Sequence, residues 1–365
     1  MKIAITGAEG FLGWHLSCRL LANPDVYARR VARTQFATDE GLEAALEDVD
    51  VVIHLAGVNR AGTEDEVELG NVVLAERIAK ALGGRPVHVV FANSVQSEAN
   101  TPYGRGKRRA SEILAALPGT LADVLLPNLF GEHGRPAYNS FVATFVHEVA
   151  NDRQPSVTGD RSIPLLHAQD AAEALIAAAM VPESVELRPA GEPHAISEVL
   201  ALLNDFHELY AGAGEIPNVS DPFRLNLFNT YRAARFPQGY PIHPQVHADP
   251  RGELIETGRI HGSTGQSYIS STAPGQVRGE HYHLQKIERF VVFRGEAEIC
   301  LRRLFSHDVV RFRVGGGRPA IIDMPTMWVH NLRNVGDDEV VTVFWSNQLL
   351  DPANPDQFPM KVEEA

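Results

Sequence analysis

KIAIT (residues 2–6), then Gly7-AE-Gly10-FL-Gly13, then WHLSCRLL (residues 14–21): a short apolar strand, a glycine turn and an amphipathic helix follow one another without a break. That order predicts the opening of a parallel α/β sheet. Glycines in such a turn let the backbone come close to a pyrophosphate, and the helix that follows offers it unpaired N–H groups and a positive dipole end. A glycine pattern alone says little, and its setting between strand and helix carries the reading. Gly7, Gly10, Phe11, Leu12 and Gly13 are therefore the candidate cradle for a dinucleotide. Two further apolar runs, VDVVIHLAG and VHVVFANS, read as buried strands ending in Leu55-Ala56-Gly57 and in Ser94. Ligands in open parallel sheets bind beyond the carboxyl ends of the strands, so these ends are expected to face the cofactor.

About twenty residues beyond the glycines, an NAD-binding fold carries an acidic residue for the ribose 2′-hydroxyl. This chain has Arg29, Arg30 and Arg33 there, which suits a 2′-phosphate, so NADPH is the expected cofactor and Arg33 the first candidate for that contact. In Tyr103-GRG-Lys107, at the start of the next helical pattern, the i, i+4 spacing puts phenol and ammonium on one face. A phenol with a pKa near ~10 exchanges protons poorly at neutral pH unless a cation stabilises its anion, and Lys107 is the candidate cation. The glycine spacing G-x2-G-x2-G, Ser94 and Y-x3-K in this order resemble the extended short-chain dehydrogenase/reductase family. The resemblance implies that Tyr103 transfers the proton, Ser94 polarises the substrate carbonyl and Lys107 also holds the nicotinamide ribose. Dehydratases of this kind place an acid pair directly after the serine. Here Val95 and Gln96 follow it, so ketone reduction is favoured over dehydration. Asn128 in PNLFG, with Asn139 and Arg161, are candidate substrate contacts by resemblance.

The far end announces different chemistry. Gly275-QVRGE-His281-Tyr282-His283-LQKI-Glu288-RFVVFR-Gly295 is followed by Pro325-TMWV-His330 and Asn334. In an extended strand His281 and His283 point the same way, and Glu288, from that strand's continuation, and His330, from a neighbouring one, can join them in holding a divalent ion. The pattern resembles the two-motif signature of the cupin family, with one departure. Met327 stands where that signature has glycine, and it is expected to narrow the mouth of the barrel without touching the ligands. Histidine and carboxylate ligands also suit iron or manganese, so zinc is implied by the resemblance and not by the ligand set.

At 365 residues, 44% hydrophobic and 22% charged, the chain is long enough for two domains. A formal charge of −13 argues against nucleic acid and anionic membranes as partners. Cys18 and Cys300 fall in different domains and read as buried thiols, which fits a cytoplasmic protein. With the first strand at residues 2–6, no signal peptide is expected, nor any membrane span. Residues 216–250 are rich in proline, asparagine and aromatics, and the boundary is placed near 245, giving domains 1–245 and 246–365. Beyond it GQSYISST, ERFVVFRGEAEICLR, DVVRFRV and EVVTVFWSN read as strands of a small antiparallel barrel, with DPANPDQF an irregular tail over it.

The predicted fold is thus an α/β Rossmann-like extended short-chain dehydrogenase domain followed by an all-β cupin, or jelly roll. HLAGVNR, PYGRGK, PNLFG, DPRGEL, the H-Y-H…E motif and DPANPD extend the likeness over the whole chain, to a family of capsular-polysaccharide and O-antigen enzymes that fuse these two parts. That resemblance implies a bifunctional enzyme of UDP-N-acetyl-L-fucosamine synthesis. The cupin would epimerise C3 of a UDP-2-acetamido-2,6-dideoxy-4-ketohexose, and the Rossmann domain would reduce C4 with NADPH to the UDP-2-acetamido-2,6-dideoxy-L-talose. A C4 ketone acidifies the C3 hydrogen, so an acid and a base suffice for the inversion. Tyr282, Lys286, His261 and a metal-bound water are the open candidates for those roles. The alternatives are a 4-ketoreductase whose cupin is only a metal-stiffened dimerisation module, and a sensor with a degenerate site, against which the intact Ser94, Tyr103 and Lys107 weigh. A homodimer through the cupin is expected.

Overall fold

Alternation along the first strand, Lys2–Thr6, sets the layers of the N-terminal unit. Ile3 and Ile5 pack on one face with Leu16 and Leu20 of helix Phe11–Leu21 and with Ala171 and Leu175 of helix Ala168–Met180. Ala4 joins Val52, Val89 and Phe91 on the other face, under Ile78 of helix Glu64–Leu82 and Leu114 of helix Pro102–Ala115. Strands buried on both faces between helices are what a parallel sheet demands. In this computed structural model, which describes residues 1–363, the six strands are parallel and run Tyr27–Arg30, Lys2–Thr6, Val51–His54, His88–Ser94, Leu121–Leu126, Val185–Leu187 across the sheet. Chain order reverses between the first strand and Val51–His54, so the loops after these two strands flank the switch point.

The chain forms two compact units, and each is discontinuous. Residues 1–130, 137–140 and 161–194 make the first. Residues 131–136 and 141–160 join the chain from 195 onward in the second. The second unit contains helices Phe141–Ala150, Ile196–Ala213 and Pro222–Arg235, a hairpin of Val246–Asp249 and Gly252–Ile255, and two larger antiparallel sheets. One has the order Gln266–Thr272, Val340–Ser346, Glu288–Arg294, Ile321–Met324. The other runs Val309–Gly315, Glu296–Arg303, Trp328–Asn334, Val277–Tyr282, Phe358–Pro359. This is the all-β fold expected of the C-terminal part.

The proline-rich stretch before it holds more order than its composition suggests. Asp221 accepts a hydrogen bond from Arg224 N at 2.8 Å and Pro222 occupies the first turn, where no N–H is needed, so the helix Pro222–Arg235 starts at the residue that reads as a breaker. Arg289 and Asp323, at 1% and 0% exposure, form a buried ion pair at 2.7 Å, and Tyr210 of the preceding helix donates to the same carboxylate at 2.5 Å. Arg289 also donates to Gly214 O at 2.6 Å. Helix Ile196–Ala213 is thereby tied to the strands, and removing one partner of such a pair costs about 3–5 kcal/mol. Cys18 and Cys300 are both buried free thiols. Among the described residues no helix is long and apolar enough to cross a membrane.

Candidate active sites

The first site gathers at the carboxyl ends of the parallel strands. Gly7 has φ +71°, and a Cβ there would lie 2.7 Å from Ala56 N, so only glycine lets the turn nest against Leu55-Ala56-Gly57. Helix Phe11–Leu21 begins at Gly10 with no side-chain cap, which leaves its N–H groups to an incoming anion. Both features fit a dinucleotide. Of the three arginines, Arg29 turns away and donates to Ala45 O at 2.8 Å. Arg30 donates to Ala8 O of the glycine turn at 3.1 Å, and Arg33, whose side chain is 88% exposed, stands 3.5 Å from Glu9 of the same turn.

Tyr103 and Lys107 sit one turn apart on helix Pro102–Ala115, capped by Thr101. Gly104 explains how the helix reaches the strand end: a Cβ would lie 2.3 Å from Gln96 O. Ser94 hydrogen-bonds the Tyr103 hydroxyl, and burial pushes that phenol up to about 12, with the Ser94 bond opposing it. Lys107 is 4% exposed and donates to Ala92 O at 2.6 Å, with its ammonium 4.0 Å from the Phe91 ring centroid. Burial brings its pKa down to about 7, against the attraction of Asp123. In this state burial, not the Lys107 charge, dominates the phenol, which is held as a proton donor. His54 is buried, 2.7 Å from Thr6 Oγ1, and burial followed by repulsion from Lys107 lowers it to about 3, so it is neutral.

Asp123 carries no signal in the sequence, since it lies inside the apolar strand Leu121–Leu126. It accepts from Asn93 Nδ2 at 3.1 Å and from Ser111 at 2.5 Å, while Asn93 Oδ1 accepts the Ser94 N–H at 2.8 Å. That chain of bonds fixes Ser94 from behind. Asn128, Asn139 and Arg161 are all exposed, and Asn139 accepts from Arg60 Nε at 3.0 Å.

The second site brings His281, His283, Glu288 and His330 together, with one ligand atom from each within 4.8 Å of the others, all four buried. His281 and His330 face each other across the ladder. Glu288 does not continue the histidine strand. That strand ends at Tyr282, and the turn 283–287 reverses into the opposite sheet, where Glu288 opens strand Glu288–Arg294. Its Oε2 lies 3.1 Å from His330 Nε2, 3.2 Å from His283 Nε2 and 3.7 Å from His281 Nε2. Burial pushes Glu288 up, but the neighbouring His281, His283 and His330 outweigh this and hold it well below the usual carboxylate range. Burial lowers His330 to about 4. Three imidazoles around an ionised carboxylate are a ligand set, and the buried His281 Nε2 has no hydrogen-bond partner among the described residues. The donors fit a divalent cation.

The candidate acids and bases fare differently. Tyr282 is 1% exposed and stacks on Phe358, on the other side of the strand from His281. Lys286 donates to Pro355 O at 3.1 Å, and His261 pairs with Glu215 at 2.6 Å. Neither of these two bonds reaches the cluster. Tyr268, in GQSYISST, instead donates to Glu288 Oε1 at 2.8 Å and is 39% exposed; nothing local in its sequence marks it. Met327 is fully buried and does not line a mouth. Its φ is +61°, and its N–H donates to His283 O at 2.7 Å. The position asks for the left-handed backbone that glycine adopts without strain.

Comparison with known proteins agrees with this division. The model of the NAD dependent epimerase/dehydratase family matches residues 3–188, and that of the polysaccharide biosynthesis C-terminal domain matches residues 247–358. A UDP-2-acetamido-2,6-beta-L-arabino-hexul-4-ose reductase of Pseudomonas aeruginosa is 29% identical over 375 residues, covering 100% of both chains. The capsular polysaccharide assembling protein CapF of Staphylococcus aureus is similar in structure, with TM-score 0.61 and 26% identity over 99% of this chain and 100% of that one. MoeE5 in complex with UDP-glucose and NAD shares the fold over 56% of this chain and 81% of its own, at 20% identity and TM-score 0.50.

Proposed function

The chain belongs to the NAD dependent epimerase/dehydratase family, and from that premise we propose that it reduces the C4 ketone of a nucleotide sugar with NADPH, after its C-terminal metal centre has inverted C3 of the same sugar. The substrate would be a UDP-2-acetamido-2,6-dideoxy-4-ketohexose, the product UDP-2-acetamido-2,6-dideoxy-L-talose, and the setting UDP-N-acetyl-L-fucosamine synthesis for a capsule or O-antigen. The named activity of the Pseudomonas aeruginosa relative, similar over its whole length, supports the sugar. The observation that carries the reading is that one chain holds both a Ser94, Tyr103 and Lys107 constellation and a four-ligand histidine and glutamate cluster.

NADPH, when bound, supplies the hydride. Ser94 Oγ would orient the C4 carbonyl, and Tyr103 would give its proton to the oxygen as C4 becomes tetrahedral. Lys107, held near neutrality by burial, would meet the nicotinamide ribose and favour the phenolate that remains. Gly7, Gly10, Phe11, Leu12 and Gly13 would cradle the pyrophosphate, with Leu55, Ala56 and Gly57 beside it. Arg33, exposed at the glycine turn, would take the 2′-phosphate, with Arg30 next to it. Asn128, Asn139 and Arg161 are assigned to the nucleotide end of the substrate.

His281, His283, Glu288 and His330 would hold the cation, for which Zn2+ is the first choice; when bound it supplies Lewis acidity at a carbonyl oxygen. Reduction after inversion gives direction to the pair, because the epimers are close in energy and the reduction drains the pool. We assign the reductase machinery to residues 1–245 and the metal centre to 246–365, and a dimer through the barrel. The strand Gln266–Thr272 is a sheet edge with Ile269 72% exposed, which favours such pairing. NADPH oxidation with the UDP-4-keto sugar tests the reductase half: turnover that disappears in Tyr103→Phe supports it, and turnover unaffected by that change refutes it.

A further inference from the structure

We propose that Asp356 is a positioning residue for the metal centre, and that the C-terminal segment 355–362 is the clamp that presents it. The inference rests on reading the four-ligand cluster as a cation site. Two of the ligands, His281 and His330, are fixed by the ladder that pairs their strands. The other two stand at the ends of the turn 283–287, which crosses between sheets and has no ladder of its own. Its three central N–H groups are held by one carboxylate about seventy residues further along the chain. Asp356 Oδ1 accepts the N–H of Leu284 at 2.8 Å, and its Oδ2 accepts those of Gln285 and Lys286 at 3.0 and 2.8 Å. Three successive donors on one carboxylate form the kind of anion-binding nest that fixes a backbone.

The same residue orients the ligand ring. His283 Nδ1 lies 2.5 Å from the Asp356 carbonyl oxygen, which can only accept, so Nδ1 carries the proton and Nε2 presents its lone pair to the cluster. Carboxylate and carbonyl both face the turn because Asp356 has φ +40°, a conformation aspartate tolerates better than most residues. The segment is anchored independently of the turn. Phe358 and Pro359 pair with Tyr282 and His281, Met360 N donates to Glu280 O at 2.9 Å and Val362 N to Glu280 Oε2 at 2.7 Å. Arg302 donates to Val362 O at 2.6 Å and Lys361 O at 2.9 Å. The tail therefore delivers a fixed acceptor to the middle of a turn whose ends are held by Met327 N on His283 O at 2.7 Å and by Asn347 Oδ1 on Ile287 N at 2.8 Å.

The test uses full-length protein loaded with Zn2+, then challenged with a colorimetric chelator while release is followed in time. Asp356→Ala should release Zn2+ about 10–100-fold faster than wild type. Asp356→Asn keeps the shape but cannot accept from all three N–H groups, and it should fall between; it also carries the test if the alanine variant does not fold. Thermal unfolding of the metal-stripped proteins is measured alongside, because a merely structural role would lower stability without altering release. Release at the wild-type rate in the folded variants overturns the proposal, whatever their stability. A wild-type protein that takes up Zn2+ no better than His281→Ala overturns the metal reading and this inference together.

Discussion

The two sites are assembled on opposite principles. Tyr103 and Lys107 owe their proximity to a single helical turn, and Ser94 lies at the end of the strand just before it. The histidine and glutamate cluster instead draws on both larger antiparallel sheets, and its turn is completed by a residue close to the end of the chain. A site built locally survives small shifts elsewhere, because its spacing is covalent. A site built by convergence depends on every element that aims a ligand, so its supporting residues matter nearly as much as the ligands.

If the sites are independent, Tyr103→Phe should lower the reductase kcat by about 10²–10⁴-fold, the usual worth of positioned proton transfer. Proton exchange at C3 of the sugar, followed by NMR, should persist unchanged. Loss of both would break the contrast. Arg33→Ala sharpens the cofactor side: KM for NADPH should rise by roughly 10- to 100-fold, as expected for a charge-assisted contact of about 1.5–3 kcal/mol. KM for NADH should stay where it is.

A pH profile probes the buried lysine. Burial depresses Lys107 from 10.5 to about 7, so its charge is present below that value and lost as pH rises through it. The reductase kcat/KM, which reports the free enzyme, should therefore fall on the alkaline side. Between about 7 and 10.5 the unfolded chain binds this proton and the folded one does not, so the residue's contribution makes stability rise with pH in that window. Lys107→Met should flatten that rise in denaturant unfolding. The smallest effect is expected at Met327. Met327→Gly relieves a left-handed backbone worth about 1–2 kcal/mol but empties a buried side chain worth about 2–5 kcal/mol. The net should be a loss of about 1–3 kcal/mol in unfolding free energy.

The same contrast explains what could be read from the sequence. The glycine turn, Ser94, Tyr103 and Lys107 are legible because strand and helix periodicities fix their relative positions. The four residues of the cluster are legible because two compact motifs carry them. Asp123 and Tyr268 are not, since each acts through a partner 12 to 30 residues away and has no local mark, and DPANPD marks Asp356 without showing that it holds a turn 70 to 72 residues earlier. The turn that sends Glu288 to the other sheet, and the helix that starts at Pro222, escaped for a related reason: both are set by a carboxylate accepting backbone N–H groups. Met327 shows the reverse, a left-handed backbone that glycine adopts freely, held here by a residue that is not glycine.

On the proposed function, the C-terminal cluster does chemistry on the same sugar that the N-terminal site reduces. Incubating the protein with a UDP-2-acetamido-2,6-dideoxy-4-ketohexose in deuterated water, without NADPH, and following C3 by NMR tests it most directly. Deuterium should enter at C3, and entry should vanish when His281 and His330 are replaced by alanine. No exchange at C3 in the metal-loaded protein, with NADPH oxidation still proceeding once the cofactor is added, would contradict it and leave a reductase carrying a structural barrel.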